Sequence, residues 1–120
     1  MEPNLDVLVW DDSFERVRVL YKKYPGLSIR KAISGTDFIV SLDRQPTLII
    51  IGKQVEYTPQ QLADILSEHL TEDTTVLIWK VANNSAEIST QLKDCDHVQS
   101  SSGFSFDSPY LWISIVNILK

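Results

Sequence analysis

The chain has 120 residues, 43% of them hydrophobic, and a formal net charge of −5. That length and apolar fraction predict one domain, 1–120, with a sizeable core. The acidic balance argues against a protein that tracks nucleic-acid phosphates with clustered Lys and Arg, so no direct nucleic-acid partner is expected. The start, Met1-Glu2-Pro3-Asn4-Leu5-Asp6, lacks the basic and long apolar regions of a signal peptide. No apolar run approaches the roughly 20 residues needed to span a bilayer. A cytoplasmic location without membrane contact is expected. Cys95 is the single cysteine, which excludes an internal disulfide and a cysteine-based zinc site and suits a half-buried packing residue.

Leu5 to Trp10 reads as an apolar strand that stops in the acidic pair Asp11-Asp12. The spacing Asp12-x-x-Glu15 predicts a capping box opening a helix, with Phe14, Val17, Leu20, Tyr21 and Tyr24 on one core-facing stripe and Pro25-Gly26 closing it. Residues 27–33 alternate apolar and polar for most of their length, as an edge strand with one solvated face does. Ser34-Gly35-Thr36 makes a turn, and Asp37 to Arg44 carries Phe38, Ile39 and Leu42 at helical spacing before Gln45-Pro46 ends the helix. Leu48-Ile49-Ile50-Ile51 reads as a strand buried on both faces in the middle of a parallel sheet, and it ends in Gly52-Lys53.

Thr58-Pro59-Gln60-Gln61 is the clearest helix start, with a capping Thr, Pro at the first helical position and Gln three residues after the cap. Leu62, Ile65, Leu66 and Leu70 supply its buried stripe. Thr74 to Trp79 is a further strand buried on both faces, and it runs into Lys80. Asn83-Asn84-Ser85 caps a weaker helix that offers Ala86, Ile88 and Leu92 to the core. Residues 96–100 form a short, polar fifth strand, followed by a loop to Asp107. Ser108-Pro109 then starts a final helix reaching Lys120. Strands and helices alternating over short connections predict one doubly wound α/β sheet of parallel strands with right-handed crossovers.

Leu5 to Asp12 is similar to the first strand and acidic pair of bacterial response-regulator receiver domains. The segment Ala32 to Gly52 is similar to the family's turn, short helix and central strand. It carries Ser34-Gly35-Thr36-Asp37-Phe38-Ile39-Val40-Ser41-Leu42, then Pro46 and Thr47 to Ile51. Over essentially its whole length the chain resembles a receiver. That resemblance implies a flavodoxin-like five-stranded parallel sheet of order 2-1-3-4-5, with helices on both faces.

A working receiver holds Mg²⁺ on its acidic pair and is phosphorylated on an Asp at the end of the third strand. It reads the phosphoryl group with a Ser or Thr after the fourth strand and a Lys after the fifth. Carried over by position, the acidic pair is Asp11 and Asp12, whereas the acceptor falls on Gly52, which has no side chain to phosphorylate. The hydroxyl position falls on or beside Lys80, and the fifth-strand lysine falls near Ser100 or Ser101. The resemblance is therefore to a degenerate form, a pseudo-receiver without phosphotransfer or other catalysis. It implies phosphorylation-independent protein-protein interaction in signalling or gene regulation, with a signalling kinase or regulator as the type of partner.

Two readings remain for the acidic pair. Adjacent carboxylates gain from a cation, and Asp11 and Asp12 have the chemistry for weak Mg²⁺ binding. Alternatively Lys53 or Lys80, at the same sheet edge, supplies an internal ammonium while Asp12 caps the helix. An enzyme or small-molecule binder built on this acid-lysine cluster is the contrasting functional class. No cofactor is expected: the loop Asp11-Asp12-Ser13 repels the phosphate that a flavin would bring. His69 and His97 have no evident partner in the sequence and read as surface or packing residues.

The final helix carries more apolar side chains than one packing stripe uses. Leu111, Ile115 and Ile118 form one stripe and Trp112, Val116 and Leu119 another, with Tyr110 and Ile113 beside them. Either Phe104 and Phe106 fold over Trp112, or the second face binds a partner or a second copy of the chain.

Overall fold

The computed structural model describes residues 5–54, 56–79, 85–104 and 117. Among the described residues nine elements alternate in chain order: β1 (Val7–Trp10), α1 (Phe14–Lys23), β2 (Ile29–Lys31), α2 (Gly35–Leu42), β3 (Leu48–Ile51), α3 (Pro59–His69), β4 (Thr74–Trp79), α4 (Ser85–Leu92) and β5 (Val98–Phe104). All strand pairs are parallel, in the order β2-β1-β3-β4-β5. This is the α/β flavodoxin-like arrangement expected from the sequence.

The centre of the sheet follows from its composition. Every residue of β1 and β3 is buried, because side chains alternate between two covered faces. On one face Leu8, Trp10, Ile49, Ile51, Val76 and Ile78 meet Phe38 and Leu42 of α2, Leu62 and Leu66 of α3, and Ile88 and Leu92 of α4. On the other, Val7, Val9, Leu48, Ile50, Leu77 and Trp79 meet Val17 and Leu20 of α1. Burying each such Leu, Ile or Val contributes roughly 1.5–3 kcal/mol before the entropy of ordering the chain.

Local signals set most boundaries. α3 carries the expected capping box: Thr58 accepts from the Gln61 N–H, and the Gln61 side chain accepts from the Thr58 N–H. The α1 cap differs from expectation. Ser13, not Asp12, is the N-cap, its hydroxyl accepting from the Arg16 N–H at 3.4 Å. The α1 stripe is also narrower, since Val17 and Leu20 are buried while Phe14 and Tyr21 face outward. α2 starts two residues earlier than expected because Ser34 caps it, accepting from the Asp37 N–H. Gln45 leaves α2 at φ 49°. Its amide holds the end of α3, donating to the His69 carbonyl and accepting from the Thr71 and Glu72 N–H groups.

β5 is longer than expected and extends to Phe104, with a register shift opposite Ile78/Trp79. Ser100 therefore sits opposite Val76 in mid-strand, not at the strand end. Both histidines have acidic neighbours that the sequence did not disclose. His69 Nδ1 lies 3.5 Å from Asp43 and His97 Nδ1 lies 3.3 Å from Asp73. Cys95 is half-buried, as expected, with its thiol 3.4 Å from the Ala63 carbonyl; burial pushes its pKa up. No helix among the described residues is long and apolar enough to cross a membrane.

The edge strand β2 is tied to α2 through Arg30, whose guanidinium donates to the Asp37 carboxylate and the Ser41 hydroxyl. Burial pushes the Asp37 pKa up, but the Arg30 hydrogen bond and the Ile33 N–H outweigh it and hold the carboxyl below its ordinary value. A depressed carboxyl stabilises the fold above its unfolded pKa and loses that contribution as pH falls through the folded one. Asp37→Asn is thus expected to flatten the decline in urea midpoint below about pH 4. An unchanged slope in the variant would contradict this linkage.

Candidate functional site

The carboxyl ends of β1 and β3 bring together Asp11, Asp12, Gly52 and Lys53, which the sequence singled out. They do not form the expected cluster. The Asp11 residue is only 2% exposed, and both its carboxylate oxygens accept hydrogen bonds from Arg16, Nε to Oδ2 at 2.7 Å and Nη2 to Oδ1 at 2.8 Å. Oδ1 also accepts from the Ser13 N–H at 2.9 Å. The Asp11 hydrogen bond raises the Arg16 pKa against the opposing effect of its own burial. A two-point guanidinium-carboxylate pair fixes both orientation and charge.

Asp12 turns the other way. Its side chain is 57% exposed and lies 3.7 Å from Arg16 Nη2. Its backbone N–H donates to the Lys53 carbonyl at 2.9 Å, which ties the loop after β1 to the loop after β3. The internal cation is therefore Arg16, where Lys53 or Lys80 was expected. Lys53 is exposed and makes no salt bridge among the described residues. Lys80 lies outside the described residues. The acid-lysine cluster proposed from sequence is not assembled by Lys53.

Gly52 lies directly against the Asp11 side chain. Its N–H donates to the Trp10 carbonyl at 2.8 Å, which presses the end of β3 against the end of β1. A Cβ built on Gly52 would stand 2.8 Å from the Asp11 Cβ and would overlap the carboxylate itself. Close approach is what requires glycine here. The space that a side chain at position 52 would fill holds the Asp11 carboxyl group instead.

Asp11 and Asp12 do not fit a shared Mg²⁺ ion. Such an ion takes carboxylate oxygens in near-octahedral geometry, and both Asp11 oxygens already accept from Arg16. Among the described residues no group of three or more His, Cys, Asp or Glu side chains is placed to hold a metal.

An open cleft of about 330 Å³ lies beside the pair, with Trp10, Asp12, Lys31, Ser34 and Glu56 among its lining residues. Trp10 packs on Phe38 with ring centroids 5.2 Å apart and against Tyr57 at 6.1 Å. Its Nε1 is buried and has no hydrogen-bond partner among the described residues. The volume is at the small end of the roughly 300–1,000 Å³ typical of ligand pockets.

Ser100, the other position that the resemblance singled out, is half-buried, and its hydroxyl donates to the Ser89 carbonyl of α4 at 3.4 Å. It belongs to the α4 contact and not to the Asp11 site. Because β5 runs to Phe104, a lysine following that strand would have to come later, yet no Lys occurs between Lys93 and Lys120. Tyr110, Trp112, Ile113, Val116 and Leu119 lie outside the described residues, as do Phe106 and the Ser108-Pro109 start expected for the final helix. Within that segment Asn117 is helical and exposed.

Arg16 is the residue that sequence reasoning missed. Its signal was the four-residue spacing from Asp12 on a helix that begins immediately after the acidic pair.

Comparison with protein-family models finds none that matches, and searches of curated proteins and of solved structures return no significant match. The fold and the site define the class at this point: an α/β flavodoxin-like protein with a buried Asp-Arg pair at the end of its first strand.

Proposed function

We propose that the chain is a pseudo-receiver, a non-catalytic protein-protein interaction module that works in cytoplasmic signalling or gene regulation without phosphorylation. The observation that carries this reading is the Asp11 carboxylate lying over Gly52 and held there by Arg16. Of the parts a phosphorylation switch needs, the acceptor carboxylate is replaced by Gly52, the acidic pair is split between a buried ion pair and solvent, and the strand-end lysine is missing from the sequence. The fold remains, and with it the surfaces a receiver offers to partners. In this proposal the final helix, through Trp112 and its apolar neighbours, takes a protein partner or a second copy of the chain.

Incubation with acetyl phosphate and Mg²⁺ is expected to leave the intact mass unchanged and to produce no saturable NMR shifts at Asp11 and Asp12. Addition of one phosphoryl group would overturn the proposal. Light scattering and pull-down with wild type and Trp112→Glu test the surface; a monomer whose partner capture survives the substitution would remove the final helix from it.

A further inference from the structure

The exposed large apolar side chains among the described residues are Phe14 at 69%, Tyr21 at 42%, Ile33 at 79% and Val40 at 60%. Scattered singly, such residues are ordinary on a soluble surface. Here they come from α1, the turn after β2 and α2, and they flank one feature, the outer edge of β2. Phe14, Tyr21 and Ile33 line a groove of about 440 Å³ that also includes Ile29 and Lys31 of the strand. Val40 stands on the α2 side, beside Arg30 and Arg44.

β2 pairs with β1 and ends the sheet on that side. The Ser28 carbonyl accepts from the Val7 N–H and the Ala32 N–H donates to the Val9 carbonyl. Backbone groups alternate in direction along a strand, so Ile29 and Lys31, between these inward positions, turn their N–H and C=O groups outward. Tyr21 already engages one of these groups, its hydroxyl donating to the outward Ile29 carbonyl at 3.2 Å in an exposed hydrogen bond that an incoming strand would share or displace. Outward-facing backbone groups beside apolar pockets are what strand addition uses: the main chain supplies affinity and alternate side chains supply specificity.

Charge selects the occupant. The protein carries a net charge of −5, yet the groove is lined by Arg30, Lys31 and Arg44 and by no carboxylate. Arg30 is already engaged by Asp37, whereas Lys31 has no salt bridge among the described residues. A second copy docked edge to edge would bring another Lys31 and Arg44 to the same edge, a like-charge approach of the kind that sheets use to block self-association. An acidic strand turns the same charge into a complement.

We propose that the outer edge of β2 docks an extended, acidic and apolar segment of a partner protein as a sixth strand. Its apolar side chains lie on Phe14, Tyr21 and Ile33 and its carboxylates near Lys31. This rests on the reading of the chain as a protein-binding module and assigns it a surface apart from the final helix.

The test is NMR titration of the full chain with an alternating Glu-Val octapeptide and its Lys-Val counterpart. The acidic peptide is expected to give saturable shifts concentrated at Tyr21, Ile29, Lys31 and Ile33. Binding should weaken about tenfold with the Lys-Val peptide and with Lys31→Glu. Phe14→Ser, at an exposed position, should weaken it without unfolding the chain. Equal binding of both peptides, shifts elsewhere, or no shifts at millimolar peptide would overturn the β2 site. If those results accompany partner capture that depends on Trp112, only this surface falls; if that capture is absent too, the interaction-module reading falls with it.

Discussion

Arg16→Met is expected to lower the free energy of unfolding by about 3 kcal/mol, the lower end of the usual cost of removing one partner from a buried ion pair, because Arg16 itself keeps an exposed side. The measurement is a fall in urea midpoint at unchanged m-value. The cost is large because the Asp11 side chain is fully buried and Arg16 supplies two of its three hydrogen bonds. Without the guanidinium, the Asp11 carboxylate is left as an uncompensated buried charge or pulls the end of β1 open toward water. Two controls separate this from a general loss of packing. Asp12→Asn removes an exposed carboxylate and should cost under about 1 kcal/mol. Asp11→Asn combined with Arg16→Met should recover part of the loss, because the amide carries no charge and still accepts from the Ser13 N–H. An Arg16→Met protein within about 1 kcal/mol of wild type would show that the pair does not hold the loop.

Gly52→Ala is the second large effect, with an expected destabilisation of about 3 kcal/mol, at the upper end of the usual cost of overpacking. The added Cβ takes the space of the Asp11 carboxylate, so either the ion pair or the end of β3 must move. The Gly52 N–H bond to Trp10 ties that backbone in place, so the strain falls largely on Asp11. The substitution should therefore cost less in an Asp11→Ala background, where the obstruction is gone. A coupling above about 1 kcal/mol in this double-mutant cycle is expected, and additivity would count against the contact. Gly52→Asp is expected to be less stable still and to gain no phosphoryl acceptance, because the new carboxylate meets Asp11 and its charge at the same place.

Together these outcomes bear on function. Under the proposed function, a site that had merely lost its acceptor would be restored by one substitution, whereas Gly52 and Asp11 fit together as a single unit. Asp11, a metal-holding residue in the resemblance, works in this chain as the internal partner of Arg16. The contact between the ends of β1 and β3 is then a structural joint, beside the open cleft at Trp10 and Asp12. In the two proposals, recognition lies at the sheet edge at β2 and on the final helix.

Much of the fold was legible because its signals are local. The all-apolar run Leu48 to Ile51 and the Thr58-Pro59-x-Gln61 cap each specify conformation through residues a few positions apart, and both elements lie where expected. Where two local signals competed, the sequence misled. Asp12 and Ser13 are both good caps, and Ser13 took the role while the preceding Asp11 carboxylate turned toward Arg16. The fifth strand was underestimated because Ser100, Ser101 and Ser102 are poor strand formers; pairing with β4 nevertheless carries the strand through them.

The sequence by itself determined that the position after the third strand is glycine and that no lysine lies between Lys93 and Lys120, because both are matters of residue identity. Hydrophobic period likewise determined the parallel sheet. Only the tertiary structure decided that Asp11 is buried and Asp12 exposed, that Arg16 is their cation, and that Phe14, Tyr21 and Ile33 share a groove. The reason is geometric. Adjacent residues leaving a strand turn in different directions, and a pair or a patch forms only where elements distant in sequence bring their side chains to one place. Those distances are set by how β1, β2 and β3 pair and by how α1 crosses them, which no local pattern encodes.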